Sequence, residues 1–200
     1  MRILRKEFGR AVTNCYILDS GDEQIVIDPG EGASEWIVKN TTNLKAVFNT
    51  HGHYDHVFDN YKFNELGVKI YIHESDAFLL DKNLAVMLKE GSKADVLAKD
   101  GDEFKVGKFR VKFHHFPGHT PGCCMLEVKC GDEKAMFSGD FLFKDTIGRF
   151  DFPYSNANDM RASLLKVAKF KDEIKVYPGH GGSTTLQTEL KNIEYYLGWF

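Results

Sequence analysis

Residues 49–56 have the types and the spacing of a metal site. Three histidines and one aspartate fall within six positions: His51, His53, Asp55 and His56. An apolar run at 46–48 comes just before them and predicts a short buried strand that ends where these side chains begin. In extended chain His51 and His53 point the same way, because side chains two residues apart lie on one face. Imidazole and carboxylate groups suit zinc, iron or manganese.

The loop contains two ligand pairs, which are aimed at two nearby points. His51 pairs with His53, and Asp55 pairs with His56. The alternative interpretation is a set of half-buried polar residues without a ligand. Clustered imidazoles and a carboxylate are costly to bury without a shared cation, so the spacing favours metal binding. The rest of the chain must then supply the missing ligands.

Three further candidate ligands lie in glycine-containing loops next to predicted strands. His119 lies within 117–122, Asp140 follows a strand at 134–138, and His180 lies within 176–181. Four separate strand ends therefore each deliver a ligand type. Strands and helices that alternate in both halves indicate an α/β layered arrangement, in which these strand ends meet at one edge.

Composition limits the functional classes. The 200 residues carry 26 Lys and Arg against 29 Asp and Glu, a net charge of −3, and 42% of them are hydrophobic. No basic stripe suggests nucleic acid as a partner, and no run approaches the ~18 apolar residues of a membrane span. The N-terminus lacks an apolar leader, and the four cysteines lack CxxC spacing. We therefore expect one domain over 1–200, located in the cytoplasm, with reduced thiols.

Hydrophobic patterns predict the elements that position the candidate ligands. Strands are expected at 11–18, 24–28, 45–49, 68–72, 103–106, 109–116, 125–128 and 134–138. Helices are expected at 34–40 with Ser34 as the cap, at 59–66, at 159–170 with Asn158 or Asp159 as the cap, and at 184–196. The segment 76–100 has weaker strand character and is either a lid over the site or a plain connection.

Several other residues have both a functional and a structural interpretation. Asp28, before Pro-Gly, is either an ordinary turn residue or a residue that holds the histidine loop. Cys123 and Cys124 are either a further ligand or redox-sensitive spot, or small buried residues, which is the commoner case. Three histidines are interpreted as structural: His73, His114 and His115. The first is expected at the surface or as a cap, and the other two face opposite sides of a sheet.

The ordered motifs resemble the metallo-β-lactamase superfamily over nearly the whole chain. The set is His51-x-His53-x-Asp55-His56 followed by His119, Asp140 and His180, with Asp28 matching the superfamily's first motif. The resemblance implies an α/β four-layer αβ/βα sandwich, with two mixed β-sheets flanked by helices and a binuclear metal site at their edge. It implies two divalent metal ions, with zinc first and iron or manganese as alternatives. The ligand sets that it implies are His51, His53 and His119 on one metal, Asp55, His56 and His180 on the other, and Asp140 bridging both.

Within the superfamily the chain is similar to the glyoxalase II branch, in a short single-domain form. The similarity lies in 119–122, 139–143, 147–153 and 178–181. We expect the C-terminal helical domain, with which that branch binds part of glutathione, to be absent, and Gly182 stands where the branch has a tyrosine. Arg149 keeps the basic character found nine residues after the bridging aspartate. It is a candidate for binding an anionic part of the substrate, or for a salt bridge that shapes its loop.

The resemblance implies a binuclear thioester hydrolase, similar to hydroxyacylglutathione hydrolase, in which a hydroxide bridges the two metals. Asp55 then has a catalytic role in orienting that hydroxide by accepting its hydrogen bond. One alternative is a persulfide dioxygenase-like oxidoreductase with a single iron, and another is a non-catalytic module whose metals only staple the fold. The expected partner is a small-molecule thioester, with no nucleic acid and no membrane.

Overall fold

A computed structural model of the chain describes residues 1–83 and 87–200. The first sheet contains six strands: β1 (Arg2–Phe8), β2 (Thr13–Asp19), β3 (Gln24–Ile27), β4 (Leu44–Phe48), β5 (Lys69–His73) and β6 (Val96–Ala98). They lie side by side in sequence order. The pairs β1–β2 and β2–β3 are antiparallel, and the pairs from β3 to β6 are parallel.

Eight more strands follow along the chain: β7 (Glu103–Val106), β8 (Phe109–His115), β9 (Cys124–Cys130), β10 (Glu133–Gly139), β11 (Leu142–Phe143), β12 (Thr146–Ile147), β13 (Lys175–Pro178) and β14 (Thr184–Thr185). Six of them form the second sheet in the order β14-β13-β10-β9-β8-β7, and β11 pairs with β12 in a small hairpin. In the second sheet β10 and β13 are parallel, and the other neighbours are antiparallel.

The helices are short: α1 (Ala33–Asn40), α2 (Tyr54–Val57), α3 (Asn60–Glu65), a 3₁₀ helix (Glu74–Leu80), α4 (Ala157–Val167), α5 (Leu186–Leu190) and α6 (Ile193–Leu197). Within 1–83 and 87–200, none of them has the length and apolar character needed to cross a membrane.

Strand β4 shows how the pleat builds the layers of the first sheet. Ala46 and Phe48 are buried in the cluster between the two sheets. Val47 points to the other face, because successive strand residues alternate, and packs in the cluster with Ile37 of α1 and Phe63 of α3. One strand therefore contributes to two cores, one on each side of its sheet.

Strand β10 has the same role in the second sheet. Ala135 and Phe137 join the cluster between the sheets, whereas Met136 packs with Met160 and Leu164 of α4. Helices therefore cover the outer face of each sheet, and the predicted four-layer sandwich with two mixed sheets is confirmed.

The carboxyl ends of parallel strands meet at one edge of the molecule. In the first sheet, β3, β4 and β5 end at Ile27, Phe48 and His73. In the second sheet, the parallel strands β10 and β13 end at Gly139 and Pro178. The segments after these strands hold most of the candidate ligands, so the topology gathers residues that are far apart in sequence.

Strand β1 is missing from the sequence prediction, which places the first strand at 11–18. Its side chains are mostly charged, and it lies at the edge of the sheet with neighbours on one side. Edge strands often carry charges that discourage pairing with other chains. Such a strand lacks the apolar alternation on which the prediction depends.

Two predicted helix caps are wrong. Helix α1 begins at Ala33, and the Ser34 side chain does not cap it; the backbone N–H of Ser34 instead donates to the buried carboxylate of Asp59 at 2.8 Å. Helix α4 begins at Ala157 and is capped by Asn156, whose side chain accepts from the backbone N–H of Asp159.

The segments 76–100 and 184–196 also differ from the prediction. The first contains most of the 3₁₀ helix and the strand β6, which adds to the parallel part of the first sheet. Residues 84–86 within it lie outside the described residues. The second, predicted as one closing helix, is divided into β14, α5 and α6.

Candidate metal centre

The loop after β4 holds four of the seven predicted ligands. His51 is completely buried, and its ring centroid lies 4.9 Å from that of His53 and 4.1 Å from that of His56. Helix α2 begins at Tyr54, which places Asp55 and His56 in its single turn. The short strand therefore delivers the histidines, and the turn of helix reverses the chain around them.

The structure brings all seven predicted side chains together. Three sets of donor atoms lie within 4.8 Å of one another: His51, His53 and His119; His51, His56 and Asp140; and Asp55, His56 and His180. The first and third sets are the two ligand groups that the superfamily resemblance implies. We call the seven side chains the ligand cluster.

Asp140 lies between the two groups of the ligand cluster. Its Oδ1 is 3.3 Å from His56 Nε2, and its Oδ2 is 3.4 Å from His119 Nε2 and 3.3 Å from His180 Nε2. A carboxylate has two oxygens and can contact two cations at once. This position therefore matches the bridging role that the resemblance implies.

Asp28 fixes the orientation of two buried histidines. Its carboxylate accepts from the backbone N–H of Thr50 at 2.8 Å, from the Thr50 hydroxyl at 2.6 Å and from His56 Nδ1 at 2.9 Å. Because the Thr50 hydroxyl donates to Asp28, it is left to accept from His51 Nδ1 at 3.1 Å. Both Nδ1 atoms are then engaged, which leaves the Nε2 atoms available to a cation. These contacts favour the interpretation of Asp28 as the residue that holds the histidine loop.

Buried polar atoms in the ligand cluster fit a metal. Within the described residues, His51 Nε2, His56 Nε2 and Asp140 Oδ1 are buried and have no hydrogen-bond partner. His119 donates through Nδ1 to the backbone oxygen of Arg149 at 2.7 Å, which leaves its Nε2 as an acceptor 2.9 Å from His53 Nδ1. Buried polar atoms without partners are costly, and a divalent cation would satisfy these three together. The residues present therefore fit a metal site.

The charges of the ligand cluster also suit cation binding. Burial and the neighbouring His119 lower the pKa of His53 to about 4, so that its ring is neutral at pH 7. Burial lowers the pKa of His180, but the carboxylates of Asp140 and Asp55 outweigh it and raise that pKa to about 9. The protonated ring of His180 thus pairs with the two carboxylates, and a metal ion that bound there would displace its proton.

Asp76 is a positioning residue that the sequence analysis missed. Its carboxylate accepts from the Gly52 N–H at 2.8 Å, the Thr120 hydroxyl at 2.7 Å and the Gly122 N–H at 2.5 Å. Burial raises the pKa of Asp76 although these three donors oppose the change. The residue joins the first histidine loop to the His119 loop. Its place just after a parallel strand, like that of Asp28, is the signal that could have found it.

Thr13 and Asn14 of β2 hold the other side of the ligand cluster, and the sequence analysis missed both. The Thr13 hydroxyl donates to Asp55 Oδ2 at 2.6 Å, and Thr13 forms an isolated β-bridge with His180. The backbone N–H and the side-chain amide of Asn14 donate to carbonyl oxygens in the loop 178–181 at 2.7–2.9 Å. The last candidate ligand is therefore tied to the first sheet.

Gly179 allows the loop before His180 to approach the ligand cluster. A Cβ at this position would lie 2.6 Å from His56 Cε1 and would overlap Asp140 Oδ1. Any side chain here would displace one of these two residues. Gly182 in the same loop has no neighbour within 4 Å of such a Cβ among the described residues.

Sequence comparison establishes the family. A sequence model of the metallo-beta-lactamase superfamily matches residues 8–180. The chain belongs to this superfamily. The hydroxyacylglutathione hydrolase GloC of Haemophilus influenzae is 32% identical to it over 194 residues, which cover 90% of this chain and 90% of that protein.

Solved structures share the fold of this chain. The crystal structure of the BLEG-1 B3 metallo-beta-lactamase superposes with a TM-score of 0.83 at 25% identity, and covers 97% of this chain and 99% of that chain. The crystal structure of TTHA1623, in a di-iron-bound form, superposes with a TM-score of 0.73 at 27% identity, with coverages of 93% and 96%. The chain is therefore a member of a superfamily of metal-dependent hydrolases, and it has a candidate metal-binding cluster of histidines and aspartates.

Arg149 of this superfamily member forms the salt bridge that was one of its two predicted roles. Its guanidinium donates to both carboxylate oxygens of Asp151, at 2.8 and 2.9 Å, and lies 4.2 Å from the ring centroid of Phe152. Its backbone oxygen accepts from His119. The contacts show how Arg149 shapes the loop, and a direct contact with substrate stays a prediction.

The remaining histidines and cysteines have structural surroundings. His114 contacts Glu127 at 3.2 Å, and His115 Nε2 lies 2.8 Å from the backbone oxygen of Pro121. His73 accepts from the Ser75 N–H, as a cap does, but it is buried and stacks on His115 at 3.9 Å, so the expected surface position is wrong. The thiols of Cys123 and Cys124 are completely buried, and burial raises the pKa of both. These surroundings are those of small core residues.

Proposed function

We propose that the chain is a binuclear metal-dependent hydrolase that cleaves the acyl–sulfur bond of a small-molecule thioester. The observation that carries the proposal is the ligand cluster, in which seven side chains converge and three buried polar atoms lack partners within the described residues. The similarity to GloC, whose name is that of a thioester hydrolase, supports this choice of substrate.

The donor set suits two divalent cations. The first cation would be held by His51, His53 and His119. The second would be held by Asp55, His56 and His180, and Asp140 would bridge the two. We put zinc first, because imidazole and carboxylate are its common ligands. Iron comes next because a structure at 27% identity was solved in a di-iron-bound form, and manganese is a third candidate. When bound, such a pair supplies an activated water at neutral pH and polarises the acyl carbonyl.

Asp55 is our candidate for orienting the attacking water. It faces the pocket beside the ligand cluster, and the Thr13 hydroxyl fixes its Oδ2 by a hydrogen bond of 2.6 Å. A carboxylate held in this way can accept a hydrogen bond from water. In the overall reaction water adds to the acyl carbon, the carbon–sulfur bond breaks, and a carboxylic acid and a thiol are released.

The test replaces Asp140, with an exposed aspartate as the matched control. We expect Asp140→Ala to abolish both metal loading and thioester turnover, whereas Asp132→Ala, in the exposed turn between β9 and β10, should retain both. Metal content per chain is measured by elemental analysis, and turnover is measured as release of the free thiol from a small thioester panel.

Three outcomes would overturn the proposal. Activity retained in Asp140→Ala would show that the ligand cluster does not carry the reaction. One iron per chain, with oxygen uptake on glutathione persulfide, would indicate the dioxygenase alternative. Full metal loading without hydrolysis of any ester, thioester, lactam or phosphodiester would indicate a metal-binding module without catalysis.

A further inference from the structure

The pocket beside the ligand cluster has two unlike ends. It has a volume of about 450 Å³, and five members of the ligand cluster border it. Much of the remaining lining comes from apolar or aromatic side chains that we call the apolar wall: Leu79, Met87, Phe152, Pro153 and Tyr154. Ligand pockets are commonly apolar with a few convergent polar groups, and here those groups stand together at one end.

The apolar wall keeps large hydrophobic side chains in contact with solvent. Met87 is 60% exposed, Tyr154 56% and Phe152 37%. Grouped exposure of this kind beside a polar cluster marks a surface that a ligand covers, unlike scattered single residues. Tyr154 also has a φ of 68°, in the left-handed region that a tyrosine rarely adopts. Strained backbone of this kind clusters at ligand sites.

Phe152 places the apolar wall against the ligand cluster. Its ring centroid lies 5.8 Å from that of His53 and 5.8 Å from that of His119. Arg149 lies over this ring and is engaged with Asp151. The Arg149 guanidinium therefore packs on the Phe152 ring and is already paired with the Asp151 carboxylate.

The described residues that line the pocket include no lysine and no arginine. Their charged groups are the carboxylates and histidines of the ligand cluster, which the metals would occupy. A carboxylate on the substrate that lay along Leu79 and Met87 would lose water without gaining an ion partner among the described lining residues, which is costly. A hydrocarbon group in the same place would instead gain from burial.

We propose that the substrate is a thioester with an extended apolar acyl group, which lies along Leu79, Met87 and Phe152 while its carbonyl meets the ligand cluster. This inference rests on the proposed thioester hydrolysis and specifies its substrate class. It separates the chain from an enzyme that selects a short, polar hydroxyacyl group.

The test is an acyl series on one neutral thiol, N-acetylcysteamine, with the metal-loaded protein. We expect kcat/KM to rise roughly 3- to 4-fold per methylene from acetyl to octanoyl until the pocket is filled, as burial of each methylene predicts. Succinyl thioester, which places a carboxylate in the pocket, should fall well below the butanoyl thioester. Binding of non-hydrolysable thioether analogues, measured by calorimetry, should follow the same order.

A charge in the apolar wall should reverse this selectivity. We expect Met87→Lys to lower the octanoyl-to-acetyl ratio of kcat/KM at least 10-fold and to raise the succinyl-to-butanoyl ratio. The control, Leu66→Lys, changes an equally exposed apolar residue that does not line this pocket, and both ratios should stay at the wild-type values.

The outcomes separate the two proposals. Thioester turnover that is flat across the acyl series, or that is highest for lactoylglutathione, would overturn the apolar substrate and leave thioester hydrolysis standing. Unchanged ratios in Met87→Lys would likewise overturn the role of the apolar wall. No turnover of any thioester by fully loaded protein would overturn both.

Discussion

The ligand cluster is held by buried polar contacts, whereas most of the apolar wall consists of loop side chains that remain exposed, with Leu79 of the 3₁₀ helix as its buried member. Asp28 and Asp76 are both buried and each accept three hydrogen bonds that orient the histidine loops. Met87 and Tyr154, in contrast, are more than half exposed. One end of the pocket is therefore built for fixed geometry and the other for contact area.

These two regions should respond differently to substitution. Changes around the ligand cluster should reduce metal loading and kcat, because the donor atoms move. Changes in the apolar wall should alter KM and acyl preference with metal content unchanged, because they remove binding surface only.

Gly179→Ala should have the largest effect. The new Cβ overlaps Asp140 Oδ1 and crowds His56, so both side chains must shift. We expect kcat to fall by about 100-fold or more, since small misplacements at a reaction centre have effects of this size, and metal content should fall with it. Gly182→Ala adds the same methyl group in open space and should keep wild-type activity and metal content. Equal behaviour of the two variants would contradict the close approach at Gly179.

Asp28→Ala should weaken metal binding roughly 10- to 100-fold, as loss of residues that orient metal ligands commonly does. The reason is that His56 loses its acceptor and Thr50 loses two. Competition with a chelator measures the affinity. Asp28→Asn keeps one acceptor oxygen and should lie between wild type and Asp28→Ala; an unchanged affinity in Asp28→Ala would refute its orienting role.

Asp76→Asn should mainly lower stability. The amide nitrogen faces donors that need an acceptor, so we expect a loss of about 2 kcal/mol in the free energy of unfolding. Urea denaturation of the chelator-treated protein measures it without a metal contribution. The exposed Asp81→Asn serves as the control and should stay within about 0.5 kcal/mol of wild type.

Phe152→Ala should have the smallest effect, and it should alter substrate binding without altering metal binding. Loss of the aromatic surface should raise KM for an octanoyl thioester about 5-fold, on the order of 1 kcal/mol of burial, with wild-type metal content. Tyr195→Ala removes an exposed aromatic side chain that does not line the pocket and should change neither quantity. Metal loss in Phe152→Ala would break the distinction between the two regions.

The sequence motifs name the seven side chains of the ligand cluster because the signal of each motif is local. His51 and His53 follow a short apolar run, and Asp140 and His180 follow glycines at strand ends. Each motif indicates where the neighbouring strand ends, and the ordered set of motifs identifies the superfamily and therefore its layered fold. The pleat then assigns the two faces of a strand such as β4.

The parts that escape the prediction depend on distant contacts. Asp76 and Thr120 are 44 residues apart, and Thr13 and Asp55 are 42 apart. Neither pair has a spacing that a motif could express. The apolar wall combines Leu79 of the 3₁₀ helix with residues of two separated loops, and strand β1 has charged side chains because it lies at an edge. In each case tertiary context, rather than local pattern, decides the role of the residue.

The loop 178–181 affects which part of the protein unfolds first. It begins in the second sheet, and the Asn14 amide and the Tyr16 hydroxyl in the first sheet both donate to it. Separation of the two layers therefore cannot start at this edge without breaking those bonds. We expect the amide protons of Asn14 and Gly179 to exchange with deuterium only in global unfolding, while the charged edge strand exchanges through local fraying.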